Sequence, residues 1–198
     1  MLTFITAVFF LIITPGPGVL TVAGNGAAYG FRAGFPYLLG VVGGSLVVMG
    51  LVASGLAALV FSVPYVRVVL LGASLCYLLY LAWRIASSGS GIAIIETDKP
   101  LGFVNGAALS LINPKGYAVF TTIVGGFNFH PENAAIELAM KFVIFTSMSV
   151  PIHILWNGLG ASLKKLPLGP KGQRAVNIAM AVSMLMVVGL AVYFESLR

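Results

Sequence analysis

Six long apolar runs, at about 4–23, 37–61, 66–86, 103–126, 138–162 and 175–195, take up most of this chain of 198 residues. Each is long enough to cross, as a helix, a hydrocarbon core of roughly 30 Å. Backbone groups in hydrocarbon have no water to bond, so only helices or closed barrels cross, and none of these runs alternates polar with apolar residues as a barrel strand does. The links between them are short and leave no room for a soluble domain. Composition agrees: 59% of the residues are apolar and 8% are charged, where a soluble domain carries roughly a quarter charged residues. The expectation is an all-α membrane protein, one transmembrane domain over 1–198 with six transmembrane helices.

The formal charge of +6 would raise the question of nucleic acid in a soluble protein. Here the charges are few and scattered, and they read as membrane-topology signals, with no nucleic-acid partner. The side bearing the first, third and fifth links collects Arg32, Arg84, Lys99, Lys164, Lys165, Lys171 and Arg174, and the other side collects Arg67, Lys141 and Arg198. The positive-inside tendency then places the first group in the cytoplasm and both termini outside, in a cell inner membrane. The first run is not read as a secretory signal, because no Lys or Arg precedes it and Pro15 and Pro17 interrupt it. The lone Cys76 can form neither an internal disulfide nor a cysteine-rich metal site.

Overlaying Pro15 on Pro114 also pairs Phe4 with Phe103 and Ile13 with Ile112, and sets Thr14 opposite Asn113. The first and fourth helices look alike. With three spans per half, the second copy enters from the opposite face: two inverted three-helix repeats, about 1–86 and 103–198, with helices 1 and 4 broken. The breaks, Thr14-Pro15-Gly16-Pro17-Gly18 and Asn113-Pro114-Lys115-Gly116, fall near the middle of their runs. A proline inside a helix removes an amide donor and clashes with the preceding turn. The freed backbone groups are tolerated at that depth only against protein, polar side chains or a water-lined cavity.

A central site follows. Half-helix N-termini suit an anionic group and C-terminal carbonyls a cationic one, and a zwitterion carries one of each. Lys115 lies some twelve residues from either end of its run, roughly 18 Å at 1.5 Å per residue, too far to snorkel to the interface. It is expected to face a cavity and attract a carboxylate; alternatively it braces carbonyls released by the breaks. No acid is available inside the spans as a counter-charge. Thr14, Pro15, Gly16, Pro17, Asn113, Pro114, Lys115 and Tyr117 are therefore the candidate substrate-binding residues. Tyr117 and Thr121 are included in the reading because they share a helix face with Asn113 at spacings of four. His153, in a polar cluster with Trp156 and Asn157 after Pro151, is the candidate for proton coupling. Gly40 with Gly44, and Ala175, Ala179 and Ser183, are small-residue stripes that permit close helix approach, within one chain or in a homo-oligomer.

These residues resemble the LysE/RhtB family of bacterial amino-acid exporters. The resemblance rests on Pro15-Gly16-Pro17 followed by Gly30, Arg32, Gly34, Gly40 and Gly44, on Tyr77-Leu78-Leu79-Tyr80-Leu81, on Asn113-Pro114-Lys115, and on Asn177 and Gly189. It spans nearly the whole chain. Gly18 and Ala82 depart from the residues common in that family, and no acid is evident between Val150 and Asn157. The resemblance implies a secondary active exporter, driven by the proton gradient, of an amino acid or related small zwitterion across the lipid bilayer. It implies no cofactor or prosthetic group. Two alternatives stand beside it. The chain could be a non-transporting membrane subunit or assembly partner, or a cation exporter, although one Cys and two separated His make poor metal ligands. An enzyme is not expected, because no nucleophile, base and orienting residue converge at a recognisable spacing.

Overall fold

The computed structural model describes residues 1–14, 16–57, 99–163 and 169–196, together with residues 62, 65, 72, 76, 79, 80 and 83. The expected run 66–86, apart from those few positions, and Pro15 lie outside the described residues. Among the described residues there are seven helices and no strand: α1 (Leu2–Ile13), α2 (Pro17–Tyr29), α3 (Phe31–Ala53), α4 (Phe103–Ile112), α5 (Pro114–Gly125), α6 (Ala134–Leu163) and α7 (Pro170–Ser196). By length and apolarity α3 and α6 can each cross a membrane, and α1 with α2 makes a third crossing if the bent pair is one span. The described residues thus supply two or three of the six crossings read from the sequence.

Both anticipated breaks are present. The axes of α1 and α2 turn by 51°, and Asn113 alone separates α4 from α5. Pro17 opens α2 and Pro114 opens α5. The first position of a helix is where a missing N–H costs nothing and a fixed φ helps. The helical counterpart of Pro114 is therefore Pro17, two residues beyond the proline chosen by the sequence overlay.

The first link differs from expectation. Residues 24–36, with four glycines, Arg32 and Pro36, read as a connection, but α2 continues to Tyr29 and α3 begins at Phe31. The turn is Gly30 alone, at φ +92°, a conformation that glycine adopts without steric cost. The neighbouring glycines serve packing: a Cβ on Gly26 or Gly34 would run into Asn157 of α6. At its other end α3 stops at Ala53 rather than near 61, where Gly55 takes φ +75°.

The packing ties the two halves together. A Cβ on Gly40 would strike the Phe103 carbonyl, and one on Gly44 would stand 2.7 Å from the Ala107 carbonyl oxygen. This stripe lets the α3 and α4 backbones touch, and its matching order shows that the two helices run in the same direction. Gly160 of α6 meets the Ala23 carbonyl of α2 in the same manner. Each long helix, α3 or α6, thus packs on the broken pair of the other half. One apolar core gathers Phe4, Val8 and Ile12 with Val48, Phe120 and Phe145, and another gathers Val22, Tyr37, Val41 and Leu109. Large apolar side chains such as Val47, Val143 and Leu155 remain exposed, as lipid-facing positions do in a membrane protein.

The segment after α5 is fastened by one ion pair. Lys141 Nζ lies 2.6 Å from Glu137 Oε1 and donates to the Val124 and Phe127 carbonyls at 2.8 and 2.7 Å. Glu137 Oε2 accepts from the amides of Phe129 and His130 at 3.0 and 2.6 Å. Phe127 and Phe129 then clasp Phe4 of α1, with ring centroids 5.3 and 5.1 Å away. The start of α1 consequently lies beside the end of α5.

Candidate functional site

Each proline leaves carbonyls without their usual donors, and their new partners define the site. In α5, Asn113 caps the helix by accepting from the Lys115 amide at 3.1 Å, and the Gly116 amide turns to the Asn113 carbonyl at 3.0 Å. Diverting the Lys115 amide deprives the Leu111 carbonyl one turn back, and the Tyr117 hydroxyl donates to it at 2.9 Å. In the first break, Gly16 is extended and α2 begins behind it. The Thr14 carbonyl is taken by the Lys115 ammonium at 2.8 Å, a contact that joins the two breaks directly. The Thr14 hydroxyl bonds back to the Phe10 carbonyl.

A cavity of about 80 Å³ lies against this junction, several times the roughly 10–15 Å³ that one water needs. Its floor is Gly16 and Gly18, and its walls include Val41, Phe120 and Phe145. The Lys115 side chain lies over Gly16, where a Cβ would stand 2.9 Å from Nζ. His153 covers the other end, with Nε2 4.0 Å from a Cβ built on Gly18. His153 is 6% exposed, and its Nδ1 is 2.8 Å from the Ser149 carbonyl oxygen. A carbonyl only accepts, so Nδ1 carries a proton in this bond, and in the neutral ring Nε2 is then the acceptor. Residues at the N-termini of α2 and α5 line the cavity, which brings the positive ends of two helix dipoles to it.

Among the expected site residues, Gly16, Asn113, Lys115 and His153 line the cavity. Thr14 joins them through its carbonyl, and Pro17 and Pro114 set the starts of the half-helices. Tyr117 is outside the lining and braces the break from its flank. Asn157 is also elsewhere: it donates to the Phe31 carbonyl at 2.8 Å, at the α2–α3 corner. Sequence reasoning missed Ser45, Ser110 and Ser149, which supply hydroxyls to the cavity lining. Ser110 donates to the Val41 carbonyl at 2.8 Å. A signal existed for two of them, since Ser110 stands four residues before Pro114 and Ser149 four before His153. The buried acid Glu137 was missed as well; it lies away from the cavity and is neutralised by Lys141.

The family model described as LysE type translocator matches residues 9–196. The chain belongs to the LysE-type translocator family. Members of this family are integral membrane transporters and not enzymes, as the sequence led us to expect. A leucine efflux protein of Salmonella typhimurium is 30% identical over 125 residues, which cover 61% of this chain and 59% of the relative. A cysteine/O-acetylserine efflux protein of Salmonella typhi is 33% identical over 112 residues, 57% of each chain. One of the same description from Escherichia coli is 32% identical over 145 residues, 73% of each. The chain thus spans about three-fifths of the length of the leucine efflux proteins that it matches. No solved structure matches.

Proposed function

We propose that this LysE-type translocator is a secondary active exporter of an amino acid or related small zwitterion, coupled to protons and working by alternating access around the cavity between the two breaks. The observation that carries the reading is the Lys115 ammonium, which reaches from one broken helix to the Thr14 carbonyl of the other while lining the cavity. An ammonium has three donors, so a substrate carboxylate can share it with Thr14 and draw further support from the two half-helix N-termini. Gly16 leaves the backbone bare beneath the ammonium, and Asn113 holds the α5 terminus in place. Tyr117 acts as a positioning residue. The family relation supports export, and the named relatives suggest leucine, cysteine and O-acetylserine as the first substrates to try.

In this reading the chain sits in the inner membrane as six spans in two inverted repeats, with both termini outside. The direction of the described helices supports it. The shared direction of α3 and α4 is what the sequence reading requires of helices 2 and 4 if the run 66–86, outside the described residues, supplies the crossing between them. The placement of Phe4 beside Phe127 and Phe129 supports opposite entry of the first and fourth spans.

Counterflow in proteoliposomes tests the proposal: preloaded amino acid is expected to drive uptake of labelled leucine, cysteine or O-acetylserine, and absence of exchange across a full amino-acid panel rejects it. Co-purification of a fixed partner without flux would favour the assembly-partner alternative. Lys115→Ala removes a charged donor, and we expect substrate affinity to fall by about 10- to 100-fold while the protein still inserts. Full activity in that variant removes Lys115 from the site.

A further inference from the structure

The cavity offers a fixed cation for a carboxylate but, among the described residues, no carboxylate for an ammonium. We propose that His153 Nε2 accepts a hydrogen bond from the substrate's α-ammonium, so that a proton and the zwitterion compete for one nitrogen. This rests on the exporter reading above and adds the coupling device to it.

Three features carry the argument. First, the tautomer is set within α6: the bond from Nδ1 to the Ser149 carbonyl, with the Ser149 hydroxyl 3.3 Å from the same nitrogen, leaves Nε2 with its lone pair toward Gly18. Secondly, the two poles are correctly ordered. Lys115 stands over Gly16 and Nε2 over Gly18, one residue to either side of Pro17, so a molecule lying along this floor meets a cation at one end and a lone pair at the other. Thirdly, among the described residues no other group in the lining can match an ammonium by charge. Lys115 of α5 and His153 of α6 are the titratable residues facing the cavity. The helices α1, α2, α3 and α4 bring to it apolar side chains, glycines and the hydroxyls of Ser45 and Ser110.

A neutral imidazole is a strong acceptor beside Lys115. Once protonated at Nε2 it becomes a donor and a second positive charge, which repels an ammonium and has no lone pair to give it. Proton and zwitterion therefore exclude one another. In an alternating-access cycle this exclusion is antiport: on the acidic face a proton displaces the amino acid, and on the other face the amino acid displaces the proton. No bond beyond the N–H on Nε2 is made or broken.

The test compares leucine and O-acetylserine with 2-hydroxy-4-methylpentanoate, which keeps leucine's carboxylate and carbon skeleton but replaces the ammonium by a hydroxyl. Equilibrium binding to the purified full chain in nanodiscs is measured between about pH 5.5 and 8, the window in which histidine charge changes fall. Amino-acid affinity is expected to fall about tenfold per pH unit on the acid side of the His153 titration, while affinity for the hydroxy acid holds steady or rises. In His153→Gln the pH dependence of amino-acid binding is expected to vanish and the affinity to drop toward that of the hydroxy acid. A parallel fall for amino and hydroxy acids overturns the proposal, because the proton would then act on the carboxylate end. So does amino-acid binding independent of pH. If no member of a full amino-acid panel binds at any pH while the chain stays folded, the exporter reading falls and takes this inference with it.

Discussion

Tyr117 and Lys115 sit two residues apart in the same broken helix, and their fates show how much a single residue's chemistry reveals. Lys115 stands out in the sequence because an ammonium deep in an apolar run is costly unless something compensates it, and the structure gives it both compensations considered, a released carbonyl and a cavity. Tyr117 was selected only by its spacing from Asn113. Spacing cannot tell which carbonyl a hydroxyl will reach, and here the break itself claims it. Tyr117→Phe is expected to lower stability by about 1 kcal/mol, seen as a reduced melting temperature in detergent, and to leave KM for export unchanged. A raised KM at unchanged melting temperature would instead put the phenol on the substrate. The cavity serines were illegible for a different reason. Serine is common in helices, and its contribution depends on which neighbour's backbone lies opposite.

At the scale of elements, the beginning of α6 does more than cross a membrane. Glu137 and Lys141 are four apart, a spacing that puts them on one face, so their pairing could be read from the sequence. Their burial could not, because it results from the segment after α5 folding back over them. The pair satisfies two amides and one carbonyl of that segment and the Val124 carbonyl at the end of α5, and removing one partner strands a buried charge. We expect Glu137→Gln and Lys141→Met each to lower the melting temperature markedly, and the double substitution to cost less than the sum of the two. Additive losses would show that the two residues act independently. The breaks belong to this scale too. Proline positions predicted both interruptions, but choosing between Pro15 and Pro17 as the opening of α2 required the helix itself, since either can occupy a first turn.

For the whole molecule, the halves meet at the aromatic clasp of Phe4 with Phe127 and Phe129, as well as across the cavity. In the proposed cycle, rocking of one half against the other would have to part this clasp or carry it along. With Cys76 replaced by Ser, a short thiol-reactive cross-linker between Phe4→Cys and Phe129→Cys is expected to stop counterflow, and cleavage of the linker to restore it. Unimpaired exchange at high cross-linking yield would mean that α1 and this segment travel together. By itself the sequence determined the all-helical membrane character, the two mid-run breaks and the lysine that needs a partner, because each follows from local chemistry: apolar length, a proline without its amide, and the cost of a charge in hydrocarbon; the family was legible from the resemblance of its motifs. Only the tertiary structure decided that Gly30 is the whole of the first turn, that the breaks touch through Lys115 and Thr14, and that His153 lines the same cavity with Nδ1 against the Ser149 carbonyl. Those outcomes depend on which distant backbone atoms a glycine or a bare carbonyl admits, and such contacts leave no periodic trace along the chain.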